Sequence, residues 1–174
     1  MEKRGDITLV LGGASSGKSA WAEQHILELG QNVGYIATAQ ASDPEMEERI
    51  AQHRARRGLE WTTREVPLDI IPCFNTFPAD LPILLDCVTL WLSNLMLAKK
   101  NIAVEIKALI DYLKNFAGKL VLVSNEIGLS VVPHTKMGRD FQKVQGQINQ
   151  QLAAVSDRVV FIVAGLPMLL KGQL

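Results

Sequence analysis

Cysteine is nearly missing from this 174-residue sequence: Cys73 and Cys87 are the only two. Two thiols supply neither a disulfide framework nor a metal-ligand set, and they point to a reducing, cytoplasmic setting. Neither sign of charge is in excess. Eighteen Lys and Arg balance eighteen Asp and Glu, so the formal net charge is zero. A broad electrostatic grip on DNA, RNA or anionic lipid finds no support in that balance, which leaves room only for a local basic cluster. Long hydrophobic runs are missing too. The first covers only Ile7 to Leu11, too short for a signal-peptide core. No later stretch reaches the roughly 18 apolar residues of a membrane span. There are no repeats, no low-complexity tract and no long linker, so one domain over residues 1–174 is expected. Hydrophobic residues make up 48%, enough to bury a core without staples.

What is there is an alternation of short apolar runs and helical patterns. Ile7–Leu11, Val33–Thr38, Trp61–Val66, Pro82–Asp86, Lys119–Ser124 and Asp157–Ala164 read as strands, the last being the final one. Lys18–Leu29 reads as a helix with Gly30 as its C-terminal cap. Asp43–Arg57 reads as a helix capped by Ser42 or Asp43, with Pro44 in its first turn and arginines late. Val88–Lys99 and the series Ile102, Ile106, Leu109, Ile110, Leu113 read as two more. Phe141, Val144, Ile148, Leu152 and Val155 mark a clear amphipathic helix. The proline-bearing stretch Pro67–Ala79 reads as broken structure. Strands alternating with helices imply an α/β fold with a parallel sheet covered on both faces. Sites in such folds lie at the carboxyl ends of the strands.

Gly12-Gly13-Ala14-Ser15-Ser16-Gly17-Lys18-Ser19 fits G-x-x-x-x-G-K-S/T, follows a strand and opens a helix. Glycines let backbone N–H groups turn inward around phosphate oxygens, and the helix N-terminus adds positive potential. Lys18 is placed to reach β- and γ-phosphates and Ser19 to hold Mg²⁺. Asp86 ends a buried strand, where a carboxylate either supports the metal or caps the next helix. Trp91 reads as core, and His25, one turn after Trp21, as a packed helix residue.

The segment Glu45 to Arg57 is the most unusual. Met46, Ile50 and His53 share one helix face, and Arg49, Arg54, Arg56 and Arg57 put four arginines into nine residues. Guanidinium forks match phosphate oxygens. His53 is then either a nucleophile or acid–base beside phosphates, or a packed bystander on a charged helix.

Several strings, taken in order, carry a resemblance. They are the Gly12–Ser19 loop, Tyr35-Ile-Ala-Thr-Ala39, the segment Asp43 to Arg54, Trp61-Thr-Thr-Arg-Glu65, the segment Leu84 to Asn94, Val123-Ser-Asn-Glu-Ile-Gly128, Val132-Pro133 and Val163-Ala-Gly-Leu-Pro167. From about Ile7 to Lys171 the chain resembles the bifunctional adenosylcobinamide kinase / adenosylcobinamide-phosphate guanylyltransferase family of cobalamin biosynthesis. The resemblance implies a three-layer P-loop NTPase (RecA-like) fold with a mostly parallel central sheet, and a homotrimer. It implies phosphorylation of adenosylcobinamide by ATP or GTP, then transfer of GMP from GTP through a covalent guanylyl-histidine. His53 matches that histidine. Nucleotide contacts are implied at residues 12–19, at Ala37, Thr38 and Ala39, at Arg54, Ala55, Arg56 and Arg57, at Glu65 and at Asp86.

Two positions depart from the family pattern. Gly58 follows Arg57 where proline is expected, and His134 follows Pro133 where an acid is expected; His134 otherwise reads as an exposed loop residue. Asn125 and Glu126 end a strand at the active edge, where they either meet substrate or hold the loop. Two other functions fit the phosphate loop alone: a kinase for another small metabolite, and a nucleotide-dependent switch module.

Overall fold

A computed structural model describes residues 5–41 and 44–173. Its centre is a seven-stranded sheet in the order β3-β2-β4-β5-β1-β6-β7. The strands are β1 (Asp6–Gly12), β2 (Val33–Ala37), β3 (Trp61–Glu65), β4 (Ile83–Asp86), β5 (Lys119–Asn125), β6 (Arg158–Val163) and β7 (Leu166–Lys171). All pairs are parallel except β6 with β7. The helices are α1 (Lys18–Leu29), α2 (Pro44–Ala55), α3 (Ile70–Phe74), α4 (Val88–Leu97), α5 (Ile102–Lys114) and α6 (Lys136–Val155).

Central strands are apolar without alternation because both faces are covered. Ile7, Leu9 and Leu11 of β1 point into one core with Trp91, Leu92, Leu109, Leu113, Ile148 and Leu152 of α4, α5 and α6. Val10, between them, points to the opposite core with Ala22 and Ile26 of α1. Three layers result. Trp91 is core, as its apolar surroundings predict, and its indole Nε1 donates to Leu68 O at 2.7 Å. Truncation there would cost about 3–5 kcal/mol.

Register fixes which strand ends meet. Gly12 lies opposite Asn125, and Ala37 lies between Glu65 and Asp86. Five parallel strands therefore deliver their last residues to one edge of the sheet.

Two expectations need correction, and a third, the cap Gly30, holds for a different reason. The strand ending the chain is not β6. A two-residue turn at Ala164 (φ 52) and Gly165 (φ 78) reverses it into β7. Both turn residues have positive φ, the geometry that suits a tight hairpin. Pro167 disguises β7, and it is tolerated because β7 is an edge strand. Gly30 stands at the C-cap of α1 but is extended, with φ −172. Its reason is space, since an added Cβ would come within 2.9 Å of the Pro82 ring. The broken stretch after Pro67 does contain the one-turn helix α3. The expected caps Ser42 and Asp43 lie outside the described residues, as does the side chain of Arg49. Among the described residues no helix is long and apolar enough to cross a membrane.

Candidate active site

The phosphate loop joins β1 to α1 at that edge. Ser15 (φ 55) and Gly17 (φ 91) take left-handed backbone, and for Gly17 the glycine is what permits it. Gly12 is needed for room, since a Cβ would sit 2.9 Å from Ile162 O. Gly13 is not crowded, and nothing lies within 4 Å of its Cβ position. The β6–β7 hairpin braces the loop from outside through Gly165 N, which donates to Ser16 O at 2.8 Å. Lys18 is buried and its Nζ donates to Gly13 O at 3.1 Å.

Two clefts open beside this loop. The first, about 560 Å³, runs along the strand ends. Lys18, Ser19, Ala37, Ala39, Asp86 and Asn125 line it from the sheet side, with Glu65 at its edge. Met46, Ile50, His53 and Arg54 line it from α2 and Arg57 from just past the helix end, so the face predicted to carry His53 turns to a cleft and not to core. The second, about 570 Å³, lies between Ser15–Ala20 and the opposite flank of α2, with Glu48, Gln52 and Arg56 on its wall. Lys18, Ser19 and His53 belong to both clefts. Each has the volume of a nucleotide-sized ligand.

A chain of contacts joins α2 to the sheet. Arg54 pairs with Glu65. The guanidinium of Arg57 lies 3.9 Å over the Tyr35 ring, and its Nε donates to the carbonyl of His53 at 3.1 Å. Tyr35 OH in turn donates to Asp86 Oδ2 at 3.2 Å. Burial, and then the Asp86 charge, push the phenol far above its ordinary range, so it remains a donor. Cys87 is pushed up to about 12, first by burial and then by Asp86, so this thiol is no nucleophile. Its sulfur accepts from Leu90 N at the start of α4, and the helix is capped by Cys87, not by Asp86.

Not every expected residue faces the clefts. The hydroxyl of Thr38 donates to Cys87 O at 2.7 Å and accepts from Cys87 N at 2.8 Å, pinning β2 to β4. Ala55 is exposed and, with Gly12, Gly13 and Ala14, lines neither cleft. Glu126 accepts from Gly128 N at 2.8 Å and holds its loop. His134 is exposed. Sequence reasoning passed over Glu23, Tyr35 and Asn94. Asn94 Nδ2 donates to both Thr38 O and Pro67 O, tying the cleft's floor together. Glu23, one turn beyond Ser19 on α1, is nearly buried and faces His53. Its four-residue spacing from Ser19 was the available signal.

Among the described residues, Ser16 Oγ, Glu23 Oε1 and Asn125 Oδ1 are buried without a hydrogen-bond partner. Such atoms are rare in folded proteins and mark places where a polar ligand completes the set. Ser16 stands in the loop, Asn125 at the end of β5 and Glu23 one turn into α1; His25 Nε2 and Gln145 Oε1, outside both clefts, are buried without a partner as well.

This is a phosphate-binding loop facing an arginine-bearing helix with a histidine between two clefts. The sequence profile of the family described as "Cobinamide kinase / cobinamide phosphate guanyltransferase" matches residues 8–170. The chain belongs to this family. A relative from Pseudomonas aeruginosa, named "Bifunctional adenosylcobalamin biosynthesis protein CobP", is 47% identical over 168 residues, covering 95% of this chain and 97% of that protein. The Salmonella typhimurium "Bifunctional adenosylcobalamin biosynthesis protein CobU" is 38% identical over 180 residues, covering 94% and 98%. At the level of fold, a solved ATPase domain aligns with TM-score 0.51 at 13% identity, over 91% of this chain and 69% of that one. A solved Pyrococcus horikoshii OT3 protein aligns with TM-score 0.54 at 11% identity, over 98% and 88%. The cobinamide kinase family member described here thus has the α/β P-loop fold expected of it.

Proposed function

We propose that this chain phosphorylates the aminopropanol hydroxyl of adenosylcobinamide with ATP or GTP. It then transfers GMP from GTP to that phosphate, through a guanylyl group carried on His53, giving adenosylcobinamide-GDP and pyrophosphate. The observation that carries the reading is the position of His53 on the wall common to both clefts, beside Lys18 and Ser19.

In the first step the substrate hydroxyl oxygen attacks the γ-phosphorus, its proton passes to solvent, and the nucleoside diphosphate leaves with the electron pair of the broken P–O bond. Little covalent work is asked of the protein. Backbone N–H groups of the loop, the α1 N-terminus and Lys18 position the phosphates and offset their charge. In the second step a ring-nitrogen lone pair of His53 attacks the α-phosphorus of GTP. Pyrophosphate leaves with the electron pair of the broken P–O bond. A phosphate oxygen of the corrinoid then attacks the same phosphorus, and the P–N pair returns to the ring. Splitting the transfer in two is ordinary covalent catalysis. Arg54 on α2 and Arg56 and Arg57 just past its end are the guanidinium partners for phosphate oxygens.

The Ser19 hydroxyl and Asp86 carboxylate share the first cleft. They form a hard oxygen donor set that suits Mg²⁺. Bound there, Mg²⁺ supplies charge neutralisation on the phosphate chain. Ala37, Ala39 and Glu65 complete the nucleotide-facing surface. Residues 1–174 act as one domain and work in the cytoplasm, a reading supported by the free, buried thiols of Cys73 and Cys87. Three copies form the working assembly. The exposed apolar side chains Leu166, Met168 and Leu170 on the edge strand β7 support self-association.

The kinase half is tested with GTP labelled at the γ-phosphate and adenosylcobinamide. Label should move to the corrinoid with the native protein and not with Lys18→Ala. Absence of transfer by the native protein overturns this half.

A further inference from the structure

We infer that Glu23 is the positioning residue for His53: its carboxylate holds the ring proton on Nδ1 and so presents Nε2 as the atom that takes the guanylyl group. This deepens the reading above and rests on it.

The geometry is specific to one atom pair. His53 Nδ1 lies 3.8 Å from Glu23 Oε1. That is about 1 Å beyond a hydrogen bond. The glutamate side chain is only 11% exposed and the histidine 22%. Glu23 Oε1 is buried and has no hydrogen-bond partner. A buried, unpartnered carboxylate oxygen carries a desolvation cost that an N–H donor relieves. Nδ1 of His53 is the ring nitrogen that this oxygen faces, and a proton there supplies the missing donor. The two residues also sit on different parts of the machinery. Glu23 is one turn past Ser19 on α1, so the helix that begins at the phosphate loop also sets the ring opposite it.

Other charged groups near the ring are engaged elsewhere or belong to the phosphates. Arg54 pairs with Glu65. Arg57 donates to His53 O and to Thr63 Oγ1, away from the imidazole nitrogens. Lys18 shares both clefts, and Glu47, Glu48 and Arg56 each line one of them.

The consequence follows from electron bookkeeping at the ring. Attack by Nε2 on the α-phosphorus forms a P–N bond while Nδ1 keeps its proton, so the ring becomes cationic. A carboxylate facing Nδ1–H stabilises that cation more than the neutral ring. When the corrinoid phosphate displaces Nε2, the electron pair returns and the ring is neutral again. No proton needs to leave or enter at Nδ1 during the cycle. The same logic makes a carboxylate behind a histidine effective in other enzymes, where its loss costs several powers of ten.

Two measurements on the whole protein test this. First, nitrogen NMR of ¹⁵N-histidine-labelled protein at pH 8 reads which ring nitrogen of His53 holds the proton. Nδ1–H is expected, and Nε2–H overturns the inference. Second, Glu23→Gln keeps the shape and removes the charge. Covalent labelling by GTP carrying label at the α-phosphate should slow roughly 100-fold or more. The GTP dissociation constant should move less than about 3-fold. A labelling rate within about 3-fold of native overturns the inference. If the native protein takes up no α-label at all, the guanylyl-histidine falls, and the NMR tautomer still decides whether Glu23 sets the ring.

Discussion

The guanidinium plane of Arg57 rests 3.9 Å above the ring of Tyr35, and that ring's hydroxyl donates to Asp86. The end of α2 is therefore fastened to the strand edge by a stacked cation. Lysine keeps the charge but loses the plane and the fork that reaches Thr63 and the His53 carbonyl. Arg57→Lys is expected to weaken GTP binding about 10-fold, on the scale of a partly desolvated cation–π contact. Equilibrium titration with GTP checks it, and unchanged affinity would show that the stack does not position α2.

The two glycines that open the phosphate loop should respond differently. Gly12 has no room for a methyl group because Ile162 O stands 2.9 Å from its Cβ position. Gly13 faces open space. Gly12→Ala should lower stability by about 1–3 kcal/mol, and Gly13→Ala by less than about 0.5 kcal/mol. Thermal unfolding without nucleotide separates them.

Acid should destabilise the fold through His25. It stacks on Trp21 with ring centroids 4.8 Å apart, and its Nε2 is buried without a partner. Burial first, and then the Arg158 charge, lower its pKa below the ordinary 6.5. The unfolded chain therefore binds a proton at a higher pH than the folded one. Stability is full above about pH 6.5 and falls as pH drops through the interval down to the lowered folded value. His25→Phe keeps the stack and removes the titration. Urea unfolding at pH 7.5 and 5.5 should show a smaller acid loss in the variant than in the native protein.

Strand β7 presents Leu166, Met168 and Leu170 on an open edge. Met168→Lys with Leu170→Lys places charge where a second copy would pair. Sedimentation should shift from trimer to monomer while the fold, read by circular dichroism, stays native. A native protein that sediments as a monomer would contradict the proposed assembly.

The phosphate loop was legible because its chemistry is contiguous: eight neighbouring residues hold the glycines, the lysine and the serine. Helix α1 was legible from end to end for the same local reason, and Asp86 from its place after a buried run. His53 was legible as a residue type in a pattern, but that its face turns to the clefts and not to core is visible only in three dimensions. The pairing of Glu23 with His53 joins two helices, and no spacing rule spans them. Thr38 lies in one of the strings that carry the family resemblance, yet its hydroxyl is engaged by Cys87, a tertiary contact. Strand β7 went unread because Gly165 and Pro167 punctuate the sequence as an ending while the backbone uses them as a turn and an edge.

One measurement addresses the central claim. The native protein is incubated with Mg²⁺ and GTP labelled at the α-phosphate, then denatured and the bound label located. An acid-labile, base-stable guanylyl group on His53 is expected, absent in His53→Ala and passed to phosphorylated adenosylcobinamide on its addition. Transfer of GMP to the corrinoid phosphate with no label on the native protein, or with His53→Ala still active, would contradict the claim.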